Sequence, residues 1–267
     1  MSIMSESMSF ERMARIPRRV ANDIKIIRLT KNWREVLAAK AGGRDLRRVY
    51  FRNGAVLDAP AEIDLLFLFH EVWIDRIYDL PGFEIKAGDD VIDIGGNIGA
   101  FAVFAGKRAE NVKIHSYEPF PMNAAFLRKN VENSGLNNVN IIEAAVAGNN
   151  GERTLKIDDS WVKHSLNEIS SKESGIRIKC LSLDEVLTEI DHCNLLKIDC
   201  EGGEYEIFYG AKPETLRSID KIVCEYHDGE HGTGKQLKDF FEANSFRADI
   251  FKVFDTSTGL ICLTNIK

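Results

Sequence analysis

From Gly88 onward one pattern repeats: a short apolar run, then a longer amphipathic stretch. Apolar runs of five or six residues read as strands covered on both faces. Strands joined through helices run parallel, because each crossover returns the chain to the same end of the sheet. The predicted strands are Asp90 to Ile94, Val112 to Tyr117, Val139 to Ala144, Leu195 to Asp199 and Lys221 to Tyr226. Helices are predicted at Ile98 to Arg108, Pro121 to Ser134, Leu183 to Glu189, Glu204 to Tyr209 and Gly234 to Asn244. At the end, Phe246 to Phe254 and Leu260 to Thr264 flank Asp255-Thr-Ser-Thr-Gly259, a connection too short for a helix, so one strand there is antiparallel. The expectation is an α/β fold with a Rossmann-like, seven-stranded, mostly parallel sheet and a C-terminal antiparallel hairpin, beginning near residue 84.

Residues 1–83 fall outside that pattern and read as a helical and hairpin extension. The stretch from Phe10 to Ala41 is rich in Arg and Lys, with apolar residues at helical spacing from Val20 to Leu37, which predicts one or two helices. Arg48 to Leu57 places two β-prone runs around Asn53-Gly54, a hairpin signal. Ala61 to Tyr78 is predicted as an apolar, aromatic helix stopped by Pro81-Gly82.

The formal net charge of -6 is unevenly spread: residues 1–50 hold 12 Lys and Arg against 5 Asp and Glu, and the rest 23 against 36. A basic arm suits an anionic partner such as nucleic acid, or it packs on the chain's own acidic remainder or on a partner subunit. Hydrophobic residues at 44% are enough for a sizeable core. The longest apolar stretch, Leu65 to Ile74, contains His70 and Glu71, so no transmembrane segment is expected, and the first 20 residues lack the apolar core of a secretion signal. Cys180, Cys193, Cys200, Cys224 and Cys262 form no C-x-x-C pair and read as free thiols of a reducing, cytoplasmic compartment.

The chemistry concentrates where strands end. Asp93-Ile-Gly-Gly-Asn-Ile-Gly99 lies where a buried strand turns into a helix, at the carboxyl edge where open α/β sheets bind ligands. Glycine-rich turns of this kind also serve nicotinamide enzymes, so the turn by itself is a weak signal. The aspartate ahead of it suits a cationic ligand better than a pyrophosphate, which needs donors. Glu118, some 25 residues on, ends the second strand, where a carboxylate can accept both ribose hydroxyls. After the third strand, Glu143, Ala144 and Ala145 are expected beside an adenine ring.

A second block, Asn194 to Glu204, delivers Asp199 and Glu201 to the same edge, where two acids are costly to place without a task. The fifth strand ends in Glu225-Tyr-His227-Asp228, and an imidazole on that rim is a natural general base. Asp199, Glu201 and Glu225 are hard oxygen donors of the kind Mg²⁺ takes, although no metal is assigned.

With Val91 to Gly99, Tyr117-Glu-Pro-Phe-Pro121, Leu127, Asn130, Ala145-Val146 and above all Leu196-Lys-Ile-Asp-Cys-Glu-Gly-Gly-Glu204 in place, the chain resembles the FkbM family of S-adenosylmethionine-dependent methyltransferases over roughly residues 49 to 265. Gly96, where the family commonly has alanine, is a mild departure, and the first 45 residues lie outside the family pattern. The resemblance implies a class I methyltransferase core at 84–267, S-adenosyl-L-methionine as cofactor with S-adenosyl-L-homocysteine as product, and O-methylation of a hydroxyl on a sugar, polyketide or other secondary metabolite.

The extension at 1–83 is then expected to cap the acceptor site, with Phe69, Trp73 and Tyr78 as wall residues, or to form a homo-oligomer contact. Cofactor-binding residues are expected at Asp93, Gly95, Gly96, Asn97, Gly99, Glu118, Pro119, Phe120, Glu143, Ala144, Ala145 and Asp199. Catalytic residues are expected at His227, Asp199 and Glu201, with His227 the first choice of base. Two other readings stay open: an RNA methyltransferase that uses the basic arm, and a nicotinamide-dependent oxidoreductase.

Overall fold

In the computed structural model, which describes residues 17–156, 175–190 and 192–266, the described residues begin with helices α1 (Arg18–Leu29) and α2 (Trp33–Lys40). The part of the basic arm before Pro17 lies outside the described residues. Arg18 pairs with Asp75, Lys40 with Asp23 and Arg48 with Asp58, so several of the arm's cations are matched within the chain. The Asn53-Gly54 signal produces the antiparallel hairpin β1 (Arg48–Tyr50) and β2 (Val56–Asp58).

The predicted helix over Ala61 to Tyr78 is shorter and changes character. It starts at α3 (Leu65–Phe69), because the Asp64 side chain accepts the Phe67 N–H at 3.0 Å and caps it there. It then widens into a π-helical turn, His70–Asp75, ending at left-handed Arg76. Such widened turns are frequent at functional sites, and this one carries Glu71, which lines the cleft described below. The extension packs on the core through rings: Trp73 stacks on Phe51 at 3.8 Å and meets Phe104 edge-on at 5.2 Å. Buried Asn130 adds a polar tie, accepting the Asp58 N–H and donating to the carbonyls of Asp58 and Ile98.

The core runs β3 (Asp90–Ile94), α4 (Ala100–Gly106), β4 (Lys113–Tyr117), α5 (Pro121–Asn133) and β5 (Val139–Ile142). Next come β6 (Ala145–Ala147), β7 (Gly151–Lys156), β8 (Gly175–Ser182), α6 (Leu183–Thr188) and β9 (Leu195–Ile198). Last are α7 (Glu204–Gly210), α8 (Pro213–Arg217), β10 (Lys221–His227), α9 (Gly234–Ala243), β11 (Phe246–Val253) and β12 (Thr258–Asn265). Seven strands form one sheet in the order β11-β12-β10-β9-β3-β4-β5. β12 lies antiparallel between β10 and β11, and the other neighbours are parallel. The expected α/β Rossmann-like sheet with its terminal hairpin is present.

One strand departs from expectation. Val139 to Ala144 does not continue as a single element: β5 stops at Ile142, and Ala145–Ala147 leaves for a separate three-stranded sheet, β6-β8-β7, which sequence reading missed. The alternation Ile176, Ile178, Cys180 was the available signal for β8, with Ile178 and Cys180 buried and Ile176 packed beside them.

Candidate active site

The order of strands turns around between β3 and β9, and the loops after β3, β4, β9 and β10 open there into a cleft of about 600 Å³. That position is where doubly wound sheets bind ligands. The extension supplies one further side through Phe67, Leu68 and Glu71, and β7 another through Arg153 and Leu155.

On the first wall, Gly95 takes φ +78°, and a Cβ there would sit 1.8 Å from the Asp199 carbonyl oxygen. Gly96 is similarly pressed, with Ser116 Oγ 2.3 Å from where its Cβ would stand. These glycines therefore let the turn nest against β9 and β4. Gly99 starts α4 from behind, against Leu127.

Asp93 is placed differently from expectation. It is fully buried and does not line the cleft; its Oδ1 lies 3.1 Å from Lys197 Nζ and its Oδ2 accepts the Ser116 hydroxyl at 2.7 Å. Burial works against the Lys197 ammonium, yet the carboxylates of Asp93 and Asp199 outweigh it and raise its pKa. Lys197 also donates to the Gly95 carbonyl at 2.8 Å, so this pair braces the turn from below. Its negative charge is matched inside the protein.

Glu118 does reach the cleft. Its Oε2 accepts the Asn97 N–H at 2.8 Å and its Oε1 the Phe120 N–H at 2.9 Å. Burial pushes the carboxyl up to about 7, against the pull of those two amides. Gly95, Asn97, Pro119 and Ala145 share the wall, whereas Phe120 is buried behind it. Two expected contacts fall elsewhere: Glu143 pairs with Arg128 at 2.7 Å at the surface, and Ala144 is wholly buried. The reason is the early end of β5, which gives the cleft edge to Ala145 and Val146.

The opposite wall gathers charge. Tyr78 Oη donates to Asp199 Oδ2 at 3.1 Å and lies 3.2 Å from Glu225 Oε2. His227 Nδ1–H donates to Glu204 Oε1 at 3.1 Å, and its Nε2 lies 3.5 Å from Glu201 Oε2 and 4.0 Å from Glu225 Oε1. Burial disfavours a charged ring, but Glu204, Glu201 and Asp199 overcome it and push His227 up to about 9. Carboxylates at both ring nitrogens thus favour the charged ring, which argues against His227 as a free base. Burial and the neighbouring carboxylates push Glu71 up to about 8 and Glu225 to about 7. One donor atom each of Asp199, Glu225 and His227 lie within 4.8 Å of one another.

Sequence reading missed Glu71, Lys197 and Arg153 as parts of this region, and Glu225 as more than an oxygen donor. An acid inside an apolar helix was the signal for Glu71. Arg153 had none, because it depends on the second sheet. Of the expected wall aromatics, Tyr78 reaches the acids, whereas Phe69 and Trp73 are core residues packed against Phe51.

Comparison with known proteins adds an independent line. A family model described as Methyltransferase FkbM domain matches residues 93–248. The 31-O-demethyl-FK506 methyltransferase FkbM of Streptomyces tacrolimicus is 27% identical over 68% of this chain and 82% of its own length. The hexuronic acid methyltransferase AglP of Haloferax volcanii is 28% identical over 60% of this chain and 67% of its own. Among solved structures, the METTL16 MTase domain superposes with a TM-score of 0.50 at 13% identity, covering 81% of this chain and 75% of that one.

Proposed function

The chain belongs to the FkbM methyltransferase family, and from that premise we propose that it uses S-adenosylmethionine to methylate a hydroxyl of a small molecule held between the extension and the carboxyl edge of the sheet. Membership makes it a methyltransferase and sets aside the nicotinamide oxidoreductase reading. The observation that carries the proposal is Glu118, a buried carboxylate with each oxygen fixed by a backbone amide, facing a cleft whose far wall is acidic.

The cleft fits the cofactor by size and charge. Its volume falls in the range of about 300–1,000 Å³ usual for such sites, and the carboxylates facing it suit a ligand with an ammonium and a sulfonium. Glu118 would take the ribose hydroxyls, Gly95 and Asn97 the methionine end, and Pro119, Ala145 and Val146 the adenine. When bound, the sulfonium supplies a methyl group already activated for transfer, so the chain's task is to align the acceptor and exclude water.

Asp199, Glu225 and His227 are proposed to hold the acceptor hydroxyl. With Glu204 at Nδ1 and Glu201 beside Nε2 of His227, the acceptor's proton is proposed to pass to a carboxylate of this wall, while His227 orients the acids and offsets their charge. Glu71, Phe67 and Leu68 are proposed to make the extension the cap of the acceptor site, and the acidic lining of the cleft, with Glu71, Asp199, Glu201 and Glu225 facing it, favours a small molecule over the phosphate backbone of RNA. The relatives named for 31-O-demethyl-FK506 and hexuronic acid support an oxygen acceptor. Incubation with methyl-labelled S-adenosylmethionine and a metabolite extract, followed by mass spectrometry, tests the proposal. Label on a nitrogen, or only on nucleic acid, would refute it.

A further inference from the structure

The acids of the far wall include a geometry that acid–base chemistry alone does not require. β9 and β10 are parallel neighbours, with Ile198 beside Cys224. One residue further along both strands, Asp199 therefore stands alongside Glu225. Glu225 and His227 are two apart on β10 and share one face of the sheet. Two carboxylates and an imidazole so converge at the cleft, with one donor atom from each inside a 4.8 Å spread. Bonds of about 2.1 Å to an octahedral cation put cis donors about 3.0 Å and trans donors about 4.2 Å apart. A pair at the full 4.8 Å has to close by about 0.6 Å if trans and by about 1.8 Å if cis, which side-chain rotation can supply.

A second observation concerns how His227 is held. Glu204 is completely buried, and its Oε1 takes the backbone N–H groups of Cys200 and Gly202 as well as Nδ1–H of His227. This fixes the ring so that Nε2 is turned toward Glu201 and Glu225. Metal-bound histidines are held in that way, with the other ring nitrogen donating to a carboxylate. The second oxygen of Glu204 is buried with no hydrogen-bond partner among the described residues. A buried carboxylate favours nearby positive charge; Lys197 is committed to Asp93 and the Gly95 carbonyl, so for Glu204 that charge falls to His227 and to whatever its Nε2 holds. Tyr78 ties down one oxygen of Asp199 and one of Glu225, while the other oxygen of Glu225 faces His227.

We propose that Asp199, Glu225 and His227 bind one hard divalent cation of the Mn²⁺ or Mg²⁺ class, with Glu204 and Tyr78 positioning the ligands. The mixed oxygen and nitrogen set favours Mn²⁺ of the two, since imidazole binds poorly to Mg²⁺. Held at Nε2 of His227 and the two carboxylates, the cation would supply Lewis acidity at the acceptor hydroxyl. Glu71 and Glu201 remain as carboxylates outside the donor set. The inference rests on reading this cleft as the acceptor site of a methyltransferase.

The test uses the full chain, stripped of metal by chelation and titrated with Mn²⁺ under electron paramagnetic resonance. Calorimetry of S-adenosylmethionine on the metal-free protein runs in parallel. The expected result is one Mn²⁺ per chain, displaced by excess Mg²⁺, with ¹⁴N hyperfine coupling from an imidazole. His227→Ala and Glu225→Gln should each weaken Mn²⁺ at least about tenfold, by comparison with the 10–100-fold cost of losing an outer partner, with circular dichroism confirming the fold. The hyperfine measurement needs only the wild type, so it stands even if a variant fails to fold. Absence of Mn²⁺ binding below millimolar concentration, a complex without nitrogen coupling, or binding unchanged in folded His227→Ala overturns the site. If S-adenosylmethionine binds and Mn²⁺ does not, the metal site falls and the methyltransferase reading survives; the reverse result keeps the site and removes the cofactor assignment.

Discussion

Replacing Lys197 by methionine isolates the pair beneath the glycine turn. Its ammonium lies 3.1 Å from a carboxylate oxygen of Asp93, and both side chains are almost wholly shielded from water. At that distance, with an effective dielectric constant of about 20, the attraction is about 5 kcal/mol. Lys197→Met leaves the Asp93 carboxylate in the interior with the Ser116 hydroxyl as its remaining partner. Breaking a buried pair in this way costs about 3–5 kcal/mol, whereas exchanging both members for neutral groups is often close to harmless.

Lys197→Met should therefore lower stability in urea unfolding by about 3–5 kcal/mol at unchanged m. At about 2–4 °C per kcal/mol for a chain of this size, Tm should fall by roughly 6–20 °C. Asp93→Asn with Lys197→Met should recover at least about half of the loss, giving a coupling energy of several kcal/mol in the double-mutant cycle. The methionine variant should also bind S-adenosylmethionine more weakly, because the Gly95 carbonyl loses its donor. A single variant within about 1 kcal/mol of wild type, or strict additivity in the double variant, would refute the reading of Asp93 as an internal brace.

Glu118→Ala removes the proposed ribose acceptor, and with charge-assisted hydrogen bonds worth about 1.5–3 kcal/mol each, S-adenosylmethionine affinity should fall by about two orders of magnitude in calorimetry; unchanged affinity would dismiss the assignment. The same carboxyl gives a pH signature: its folded pKa is raised from 4.5 to about 7, so it stabilises the ligand-free chain fully below about 4.5, and that contribution is lost as pH rises through 7. Wild-type Tm should accordingly drop more between pH 5 and pH 8 than that of Glu118→Ala, and parallel curves would contradict it. His227→Ala should depress turnover by about 10²-fold, the cost of a misplaced acceptor wall, while cofactor affinity holds, as read by steady-state kinetics and calorimetry; a loss confined to cofactor binding would move His227 out of the acceptor wall. Gly95→Ala places a methyl group on the Asp199 carbonyl and should prevent the turn from closing, seen as a large drop in Tm together with loss of cofactor binding.

Local patterning alone specified the parallel strands, the crossover helices, the hairpin at Asn53-Gly54 and the antiparallel finish, since each depends on the period or composition of a contiguous stretch. It also pointed to the loops that border the cleft, because Gly95 to Asn97, Glu118 and Asp199 to Gly203 all follow buried strands. Local patterning does not specify which atoms meet. Asp93 reads from its strand as a ligand for a cation, yet Lys197, from a strand 100 residues later, takes that charge. His227 reads as a base, yet Glu201 and Glu204 arrive beside it and favour its charged form. Glu71 and Tyr78 join the acids only because the extension folds back over the sheet, and Ala145 reaches the cleft only because β5 ends early. The physical reason is range: periodicity and turn chemistry act between near neighbours along the chain, whereas ion pairing, desolvation and the pKa values they set depend on partners that only tertiary folding brings within a few ångströms.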